Sequence, residues 1–553
     1  MRFRFSRTAR LYIAAAAVSF SCLLPGTAGA LPAPLAPKVQ LSDGVIEGAR
    51  LRNGQADLRV FRGIPYAAPP VGELRWREPQ PVARWAGVRQ AWKFGPRCMQ
   101  LHVFRPVFRS DEMSEDCLYL NVWTPARSPD AKLPVLVYLH GGGFVSGDGS
   151  EDRYDGASLA ARGIITVTVN YRLGAFGFLA PPEAAGESPH GTAGNYGLLD
   201  QVAALRWVRD NIAQFGGDPA QVTIAGNSAG AISISAHMAS PLSRGLFARA
   251  IGKSGGAFAT LSPWQREQAE RAAANFASRV EATSLQQLRA LPAQTLLAAS
   301  ADTMRPAPSL FWPHVDGYFL TDLPESVFNT GGQAQVPLLI GTNSQEDHFS
   351  TLLGGAAPTP ENWHQTIKTT FRDRADEVLA LYPGNDNNEV MRSGTALAGD
   401  LFISHSTWRW MDLHRQTGRA PVYYYHYTHP RPPELNGEQG RSVQPVHGAA
   451  HSAEIEYALG NLKERRRYAW TAADHEVSRI FSGYVEQFVK TGNPNGPAQR
   501  DVSIVADGGQ TSPQPLPIWP AARAKGANIP RQGLGLRIPN WPAVRHEQAG
   551  IRR

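Results

Sequence analysis

Val222-Thr-Ile-Ala-Gly-Asn-Ser-Ala-Gly230 joins an apolar, β-branched run to a small-residue stretch, Ala231-Ile-Ser-Ile-Ser-Ala236. The first run reads as a buried strand and the stretch after it as a helix. Gly226-Asn227-Ser228-Ala229-Gly230 is therefore a G-x-S-x-G turn between a strand and a helix. Such a turn strains the serine into positive φ and lifts its Oγ above the sheet edge. The neighbours must be small because the turn is tight. Alone the motif is weak, and it arises twice, since Gly252-Lys253-Ser254-Gly255-Gly256 also fits. The second copy contains Gly-Lys-Ser, but Phe247 stands where a phosphate-binding loop needs its first glycine. No extended helix starts directly after Ser254. Context favours Ser228 as nucleophile.

Outward from this turn the pattern repeats. Leu133 to Leu139 is a continuous apolar run ending at Gly141, and Gly163 to Asn170 is a second. Leu246 to Ile251 and Val336 to Ile340 read as further strands. Gly197 to Phe215 has helical periodicity through Leu198, Val202, Leu205, Val208 and Ile212, and Gly216-Gly217-Asp218-Pro219 stops it. Buried strands alternating with helices predict an α/β fold with a mostly parallel sheet covered by helices. Val39 to Leu51 and Leu58 to Ile64 read as N-terminal antiparallel strands. Gln265 to Val280 and Ser284 to Ala299 read as helices of a cap region. Residues 430–446 and 500–535, rich in Pro, Gly and Gln, read as surface loops. No internal repeat is visible.

His140-Gly141-Gly142-Gly143-Phe144 lies at the end of the first buried strand. Consecutive glycines there let backbone N–H groups point inward without Cβ clashes. With the N–H of Ala229 they would make an oxyanion hole.

These segments resemble the type-B carboxylesterases, the α/β-hydrolases that include the cholinesterases. The resemblance covers most of residues 38–545. It rests on Phe61-Arg-Gly-Ile-Pro-Tyr-Ala67, Ser114-Glu-Asp-Cys-Leu-Tyr-Leu-Asn-Val-Trp123, His140 to Phe144, Asn170-Tyr-Arg-Leu-Gly174 and Gly194-Asn-Tyr-Gly-Leu-Leu-Asp-Gln201. It continues in Gly226 to Gly230, Pro337-Leu-Leu-Ile-Gly-Thr-Asn343 and Phe488-Val-Lys-Thr-Gly-Asn-Pro-Asn495. Many segments in the right order are far more specific than either short motif.

The resemblance implies the rest of a triad. The family acid follows a strand ending in Gly-Thr-Asn, which places it at Glu346, with Asp347 the neighbouring candidate. The family base opens a segment like His-x-x-Glu-Ile-x-Phe, which points to His451 in His451-Ser-Ala-Glu454-Ile-Glu-Tyr457. The order Ser228, Glu346, His451 is that of this fold. Gly142, Gly143 and Ala229 are the implied oxyanion donors. Ser254 and Asn227 are expected to stand behind the reacting groups. The family further implies ion pairs Arg62–Glu115 and Arg172–Asp200, and its first disulfide corresponds to Cys98–Cys117. His447 and His451 share helical spacing, but no Glu-x-x-His context supports zinc. Neither a metal nor another cofactor is expected.

Two departures bear on the substrate. Asn227 stands where the cholinesterases have Glu, which helps hold a cationic substrate. The segment between Cys98 and Cys117 lacks the Trp that holds quaternary ammonium by cation–π contact, and its only aromatics are Phe104 and Phe108. Both argue against choline esters. Arg105, Arg109 and Arg153, if they line the gorge, favour neutral or anionic esters, the tricarballylic esters of fumonisins among them. The competing reading makes them solvated surface charges.

Composition closes off other classes. The 553 residues are 42% hydrophobic and 18% charged, which excludes intrinsic disorder. The net charge of +8 is partly carried by Arg2, Arg4, Arg7 and Arg10, ahead of an apolar run and Ala28-Gly29-Ala30. This is the layout of a secretory signal peptide over 1–30, too short for a membrane span. No lipoprotein anchor is expected at Cys22. The remaining chain has 51 basic and 47 acidic side chains with no basic run, so nucleic acid is not an expected partner. We expect one catalytic domain over 31–553, secreted or periplasmic and bacterial, monomeric or homodimeric, acting on a small-molecule ester. An oxidising compartment favours a Cys98–Cys117 disulfide over two separate thiols. Members of this fold that became adhesion proteins lack the Ser or the His; this chain keeps both.

Overall fold

The computed structural model describes residues 37–101, 103, 107–301, 311–435 and 448–495, and the backbone of the strand Arg531–Leu534. The signal-peptide reading, Cys22, Phe104, Arg105 and His447 lie outside these residues. From Pro37 onward the described residues form one compact unit.

Ten strands build the central sheet. From one edge it runs Arg531–Leu534, Val422–Tyr427, Leu338–Asn343, Arg249–Lys253, Gly217–Asn227 and Leu133–Leu139. It continues through Ile165–Val169, Tyr119–Thr124, Ala56–Pro65 and Ala49–Asn53. The first seven are parallel and the last three antiparallel, a mostly parallel sheet with N-terminal antiparallel strands.

The apolar runs are continuous because both faces of the sheet are covered. Val135, Val137 and Leu139 pack into one core with Ile224, the helix Tyr196–Asn211 and the helix Ala229–Ala239. The alternate residues Leu136 and Tyr138 point into a second core, with Ala225, Ile251 and the helix Ala472–Thr491. Each such side chain taken from water contributes about 1.5–3 kcal/mol. The chain steps from Leu133–Leu139 outward to Ile165–Val169, then back past it to Gly217–Asn227. The strand order reverses there, and the C-terminal ends at such a switch point open a crevice.

Local departures from the sequence reading have local causes. Val39 to Leu51 is not one strand but three, Lys38–Gln40, Val45–Glu47 and Ala49–Asn53, split by a turn at Gly44 and a break at Gly48. The helix expected over Ser284 to Ala299 breaks at Leu291-Pro292 into Leu285–Ala290 and Ala293–Ser300, as proline disfavours helix in the residue before it. Arg531–Leu534, expected as loop, adds a parallel edge strand to Val422–Tyr427. Hydrophobic patterning misses it, because an edge strand needs only backbone pairing.

Two of the implied tethers are present and one is corrected. Arg172 and Asp200 form a buried bidentate pair at 2.7 and 2.8 Å. Glu115 pairs not with Arg62 but with Arg75, through two contacts of 2.6 Å. Arg75 also donates to the carbonyls of Arg289 and Leu291, so it meets a carboxylate and a helix C-terminus together. The Arg62 guanidinium instead lies 5.0 Å from the Phe94 ring.

Cys98 and Cys117 form a buried disulfide across 19 residues. Replacing both with serine is expected to lower unfolding stability by about 3 kcal/mol, read from urea denaturation. Reductant should then shift wild type by a similar amount and leave the variant unchanged.

Candidate active site

Four neighbouring parallel strands end at the same edge of the sheet and bring their following turns together. After Gly217–Asn227 comes Ser228, with φ 56° and ψ −126°. Its amide donates to the Lys253 carbonyl at 2.9 Å, and Ile232 N–H starts the helix by donating to the Ser228 carbonyl. Glycine is required beside it: a Cβ on Gly230 would stand 2.2 Å from the Leu139 carbonyl oxygen. Between Val222 and Ser240, Ser228 is the single residue that is not buried. The sequence therefore folds into a turn that exposes one hydroxyl.

The Leu133–Leu139 strand delivers the glycine triplet. Gly142 has φ 113° and Gly143 φ 64°, and a Cβ on Gly142 would fall 2.0 Å from the Ser146 carbonyl oxygen. The Gly142 carbonyl is turned inward to accept from Val145 and Ser146 N–H. The Gly142 and Gly143 amides have no acceptor among the described residues, and both glycines are only half-buried. Ala229 opens its helix, so its amide has no intrahelical acceptor either.

The Leu338–Asn343 strand leads to Glu346. This buried carboxylate accepts on Oε1 from Ser254 Oγ and the Asn343 amide, both at 2.6 Å. Its Oε2 takes His451 Nδ1 at 2.7 Å. The contact fixes the tautomer with the proton on Nδ1 and leaves Nε2 as the basic nitrogen. Asp347 turns away, accepting from the His348 amide and Thr351 Oγ1. Ser254 is fully buried with φ 49°, and its hydroxyl is committed to Glu346. That commitment separates the two serine motifs.

Asn227 and Ser452 tie the turns of Ser228 and His451 together. Ser452 Oγ donates to Asn227 Oδ1 at 2.8 Å, and Asn227 Nδ2 donates to Glu454 Oε1 at 2.9 Å. Sequence reasoning did not find Ser452 or Glu454 as partners of Asn227, which lie more than two hundred residues away. It also missed Phe402. This ring is 39% exposed and stands edge-on to His451, 5.2 Å between centroids, in the π-helical turn Asp400–Ser404. The turn is anchored nearby, with Thr407 Oγ1 accepting from the Gly255 amide. No residue pattern marks a π-helical turn in advance.

Arg109 and Arg153, the two of the three arginines among the described residues, are both paired. Arg109 pairs with Asp155 at 2.6 Å and lies over Phe94. Arg153 pairs with Glu151 at 2.7 Å and lies over Tyr154. Burial decides this: a guanidinium brought inside must meet a carboxylate. Among the described residues no group of three or more His, Cys, Asp or Glu could hold a metal ion, and no helix is long and apolar enough to cross a membrane.

His140 is stacked on Tyr171, 4.3 Å between centroids, with Nδ1 2.8 Å from the Gly141 carbonyl oxygen. Burial pulls its pKa from 6.5 down to about 4. Its folded value is depressed, so the neutral form is the one that folding favours. Stability from this group is full above about pH 6.5 and is lost as pH falls through about 4. A His140→Gln variant should lose less thermal stability than wild type between these two pH values, read from melting curves.

Comparison with known proteins bears on the family. A sequence profile of the carboxylesterase family matches residues 35–526. The fumonisin B1 esterase of Sphingopyxis macrogoltabida is 37% identical over 456 residues, covering 81% of this chain and 80% of that protein. The para-nitrobenzyl esterase of Bacillus subtilis (strain 168) is 36% identical, covering 79% and 86%. The acetylcholinesterase of Bungarus fasciatus is 34% identical, covering 91% and 87%.

Proposed function

The chain belongs to the carboxylesterase family, and from that premise we propose that Ser228, His451 and Glu346 carry its ester hydrolysis. The observation behind the assignment is one strained, half-buried serine whose turn is tied through Asn227 and Ser452 to that of a histidine oriented by a buried glutamate. Ser228 Oγ attacks the ester carbonyl while His451 Nε2 takes its proton. Glu346 holds the imidazole and stabilises the imidazolium. The amides of Gly142, Gly143 and Ala229 stabilise the oxyanion, each donor contributing about 3 kcal/mol. His451 then protonates the leaving alcohol. Water attacks the acyl-enzyme by the same route and frees the acid and Ser228.

Neutral esters are the proposed substrates, and choline esters are not. Asn227 supplies no negative charge beside the serine, and its amide is spent on Glu454 and Ser452. A second reading, a polyanionic ester of the fumonisin type, is favoured by the relative of that name. Arg109 and Arg153 weigh against it, since both are neutralised. We place the protein outside the cytosol, secreted or periplasmic, as one domain behind a removable leader; the disulfide supports this.

The test is hydrolysis of p-nitrophenyl acetate and butyrate, beside butyrylcholine and a tricarballylate ester, with an alkyl phosphonate label mapped by mass spectrometry. Labelling of Ser228 in step with loss of hydrolysis is expected. Labelling elsewhere, or full hydrolysis with Ser228 blocked, would overturn the assignment.

A further inference from the structure

Phe402 is an apolar ring kept in the open beside His451. It is 39% exposed, whereas most large apolar side chains of the described residues are buried. Its ring meets that of His451 at 5.2 Å between centroids and 72° between planes, an edge-on contact. The His451 side chain is itself 23% exposed. Two touching rings that both keep exposed surface offer one continuous aromatic patch. The turn that carries Phe402 is held on either side of it. Tyr382 Oη donates to Asp400 Oδ2 at 2.7 Å, and Thr260 Oγ1 donates to the Leu401 carbonyl at 3.0 Å. Thr407 Oγ1 and Ser406 Oγ both donate to the Ile403 carbonyl, at 2.8 and 2.9 Å. The turn also lies close to Glu346: a Cβ on Gly399 would stand 3.4 Å from Glu346 Cβ. Asp400–Ser404 is π-helical, a form that recurs at functional sites. The place of the ring beside His451 is therefore fixed by its neighbours' tethers.

We propose that Phe402 is a specificity-determining residue that seats the alcohol half of the ester, and that esters of aromatic alcohols are the substrates it favours. This rests on the triad reading above. The leaving oxygen takes its proton from His451 Nε2, so it must come within hydrogen-bond reach of the imidazole, about 2.6–3.2 Å. The carbonyl oxygen belongs instead to the amides of Gly142, Gly143 and Ala229. Carbon atoms attached to the leaving oxygen are therefore brought to the imidazole, beside which the Phe402 ring stands. An aromatic group there covers the exposed ring and makes the offset or edge-on contact that such rings prefer. A methyl group covers far less of it.

The same seat serves in reverse. Once the first alcohol has left, water or a second alcohol enters beside His451 Nε2 and attacks the acyl-enzyme. Attack by an alcohol forms a new ester bond as the bond to Ser228 Oγ breaks. The alcohol proton passes to His451 and then to Ser228 Oγ, so no further reactant is needed. An alcohol that packs on Phe402 competes with water better than one that does not. Phe402 thus promotes acyl transfer to aromatic alcohols as well as hydrolysis of their esters.

The experiment measures kcat/KM of wild type, Phe402→Ala, Phe402→Tyr and Ser228→Ala on two sets of esters. Benzyl and methyl butyrate share an acyl group; p-nitrophenyl acetate, butyrate and octanoate share an alcohol. Benzyl alcohol is then added to p-nitrophenyl butyrate, and the ratio of benzyl butyrate to free butyrate is read. Phe402→Ala is expected to lower kcat/KM for benzyl butyrate by about 10-fold and to leave methyl butyrate within about 2-fold. The three p-nitrophenyl esters should shift by one common factor. The ratio of transfer to hydrolysis should fall by about 10-fold, and Phe402→Tyr should restore both preferences. Equal losses on benzyl and methyl butyrate are what a merely structural role produces, and they overturn the inference. So does an unchanged transfer ratio, or a changed acyl-length preference with the alcohol pair spared. Phe402→Leu, which keeps an apolar side chain in the turn, stands in if the alanine variant fails to fold, with the same outcomes. An inactive Ser228→Ala beside a failed Phe402 result leaves the triad standing and removes only the inference. A fully active Ser228→Ala removes both.

Discussion

Replacing Ser228 with alanine is expected to lower kcat for p-nitrophenyl butyrate by roughly 10⁵-fold, with little change in KM or in melting temperature. The size follows from the unit character of the triad: without the nucleophile, His451 and Glu346 have nothing to activate, and only binding and the oxyanion donors remain. Stability should hold, because the hydroxyl makes no structural hydrogen bond among the described residues and the strained φ of 56° is borne by the backbone. Ser254→Ala is the control. Its hydroxyl is a ligand of Glu346, at 2.6 Å, so the cost is that of one charge-assisted hydrogen bond, at most about 30-fold in kcat. Stopped assays of both variants beside wild type decide the matter. Equal losses, or a larger loss at Ser254, would move the nucleophile.

Glu346→Gln should lower kcat by roughly 10³- to 10⁴-fold while the protein stays folded. The side chain is nearly the same size, so the damage is chemical. A glutamine amide can present N–H to His451 Nδ1 and favour the tautomer with the proton on Nε2, where no base remains. It also removes the negative charge that stabilises the imidazolium. The other contacts of the side chain are kept, since the remaining oxygen still accepts from the Asn343 amide and Ser254 Oγ. Asp347→Asn, one residue on, should cost less than about 3-fold, because among the described residues Asp347 bonds only to His348 and Thr351. Pre-steady-state bursts of p-nitrophenol with Glu346→Gln would show acylation, not deacylation alone, to be slowed. A normal burst would argue against its role in the first step.

Much of the site was legible because its chemistry is local. The tight turn at Ser228 and the glycine triplet are both steric necessities, which glycine spacing announces in any context. Glu346 and His451 were legible only through resemblance, since a lone Glu or His in a chain carries no mark of its role. The ion partners were legible unevenly. Arg172 meets Asp200, as implied, but Glu115 meets Arg75. Nothing in the spacing separates Arg62 from Arg75. The choice is made by the helix C-terminus that Arg75 also satisfies.

The substrate-facing expectation illustrates the other limit. Arg109 and Arg153 looked like free cations because sequence shows the charge and hides the partner. Folding brings Asp155 and Glu151 against them and leaves neither free to receive an anion. Phe402 escaped notice for the same reason: its position over His451 depends on one π-helical turn.

By itself the sequence determined the α/β alternation, the strained turn at Ser228 and the glycine-lined turn after Leu139, because each depends on sterics among residues a few positions apart. The tertiary structure alone decided which hydroxyl is spent on Glu346 and which guanidinium meets which carboxylate. Those outcomes rest on buried charges and donors finding partners elsewhere in the chain, 92 residues away for Ser254 and Glu346 and 40 for Arg75 and Glu115, and only the packing of the sheet and its helices sets those distances.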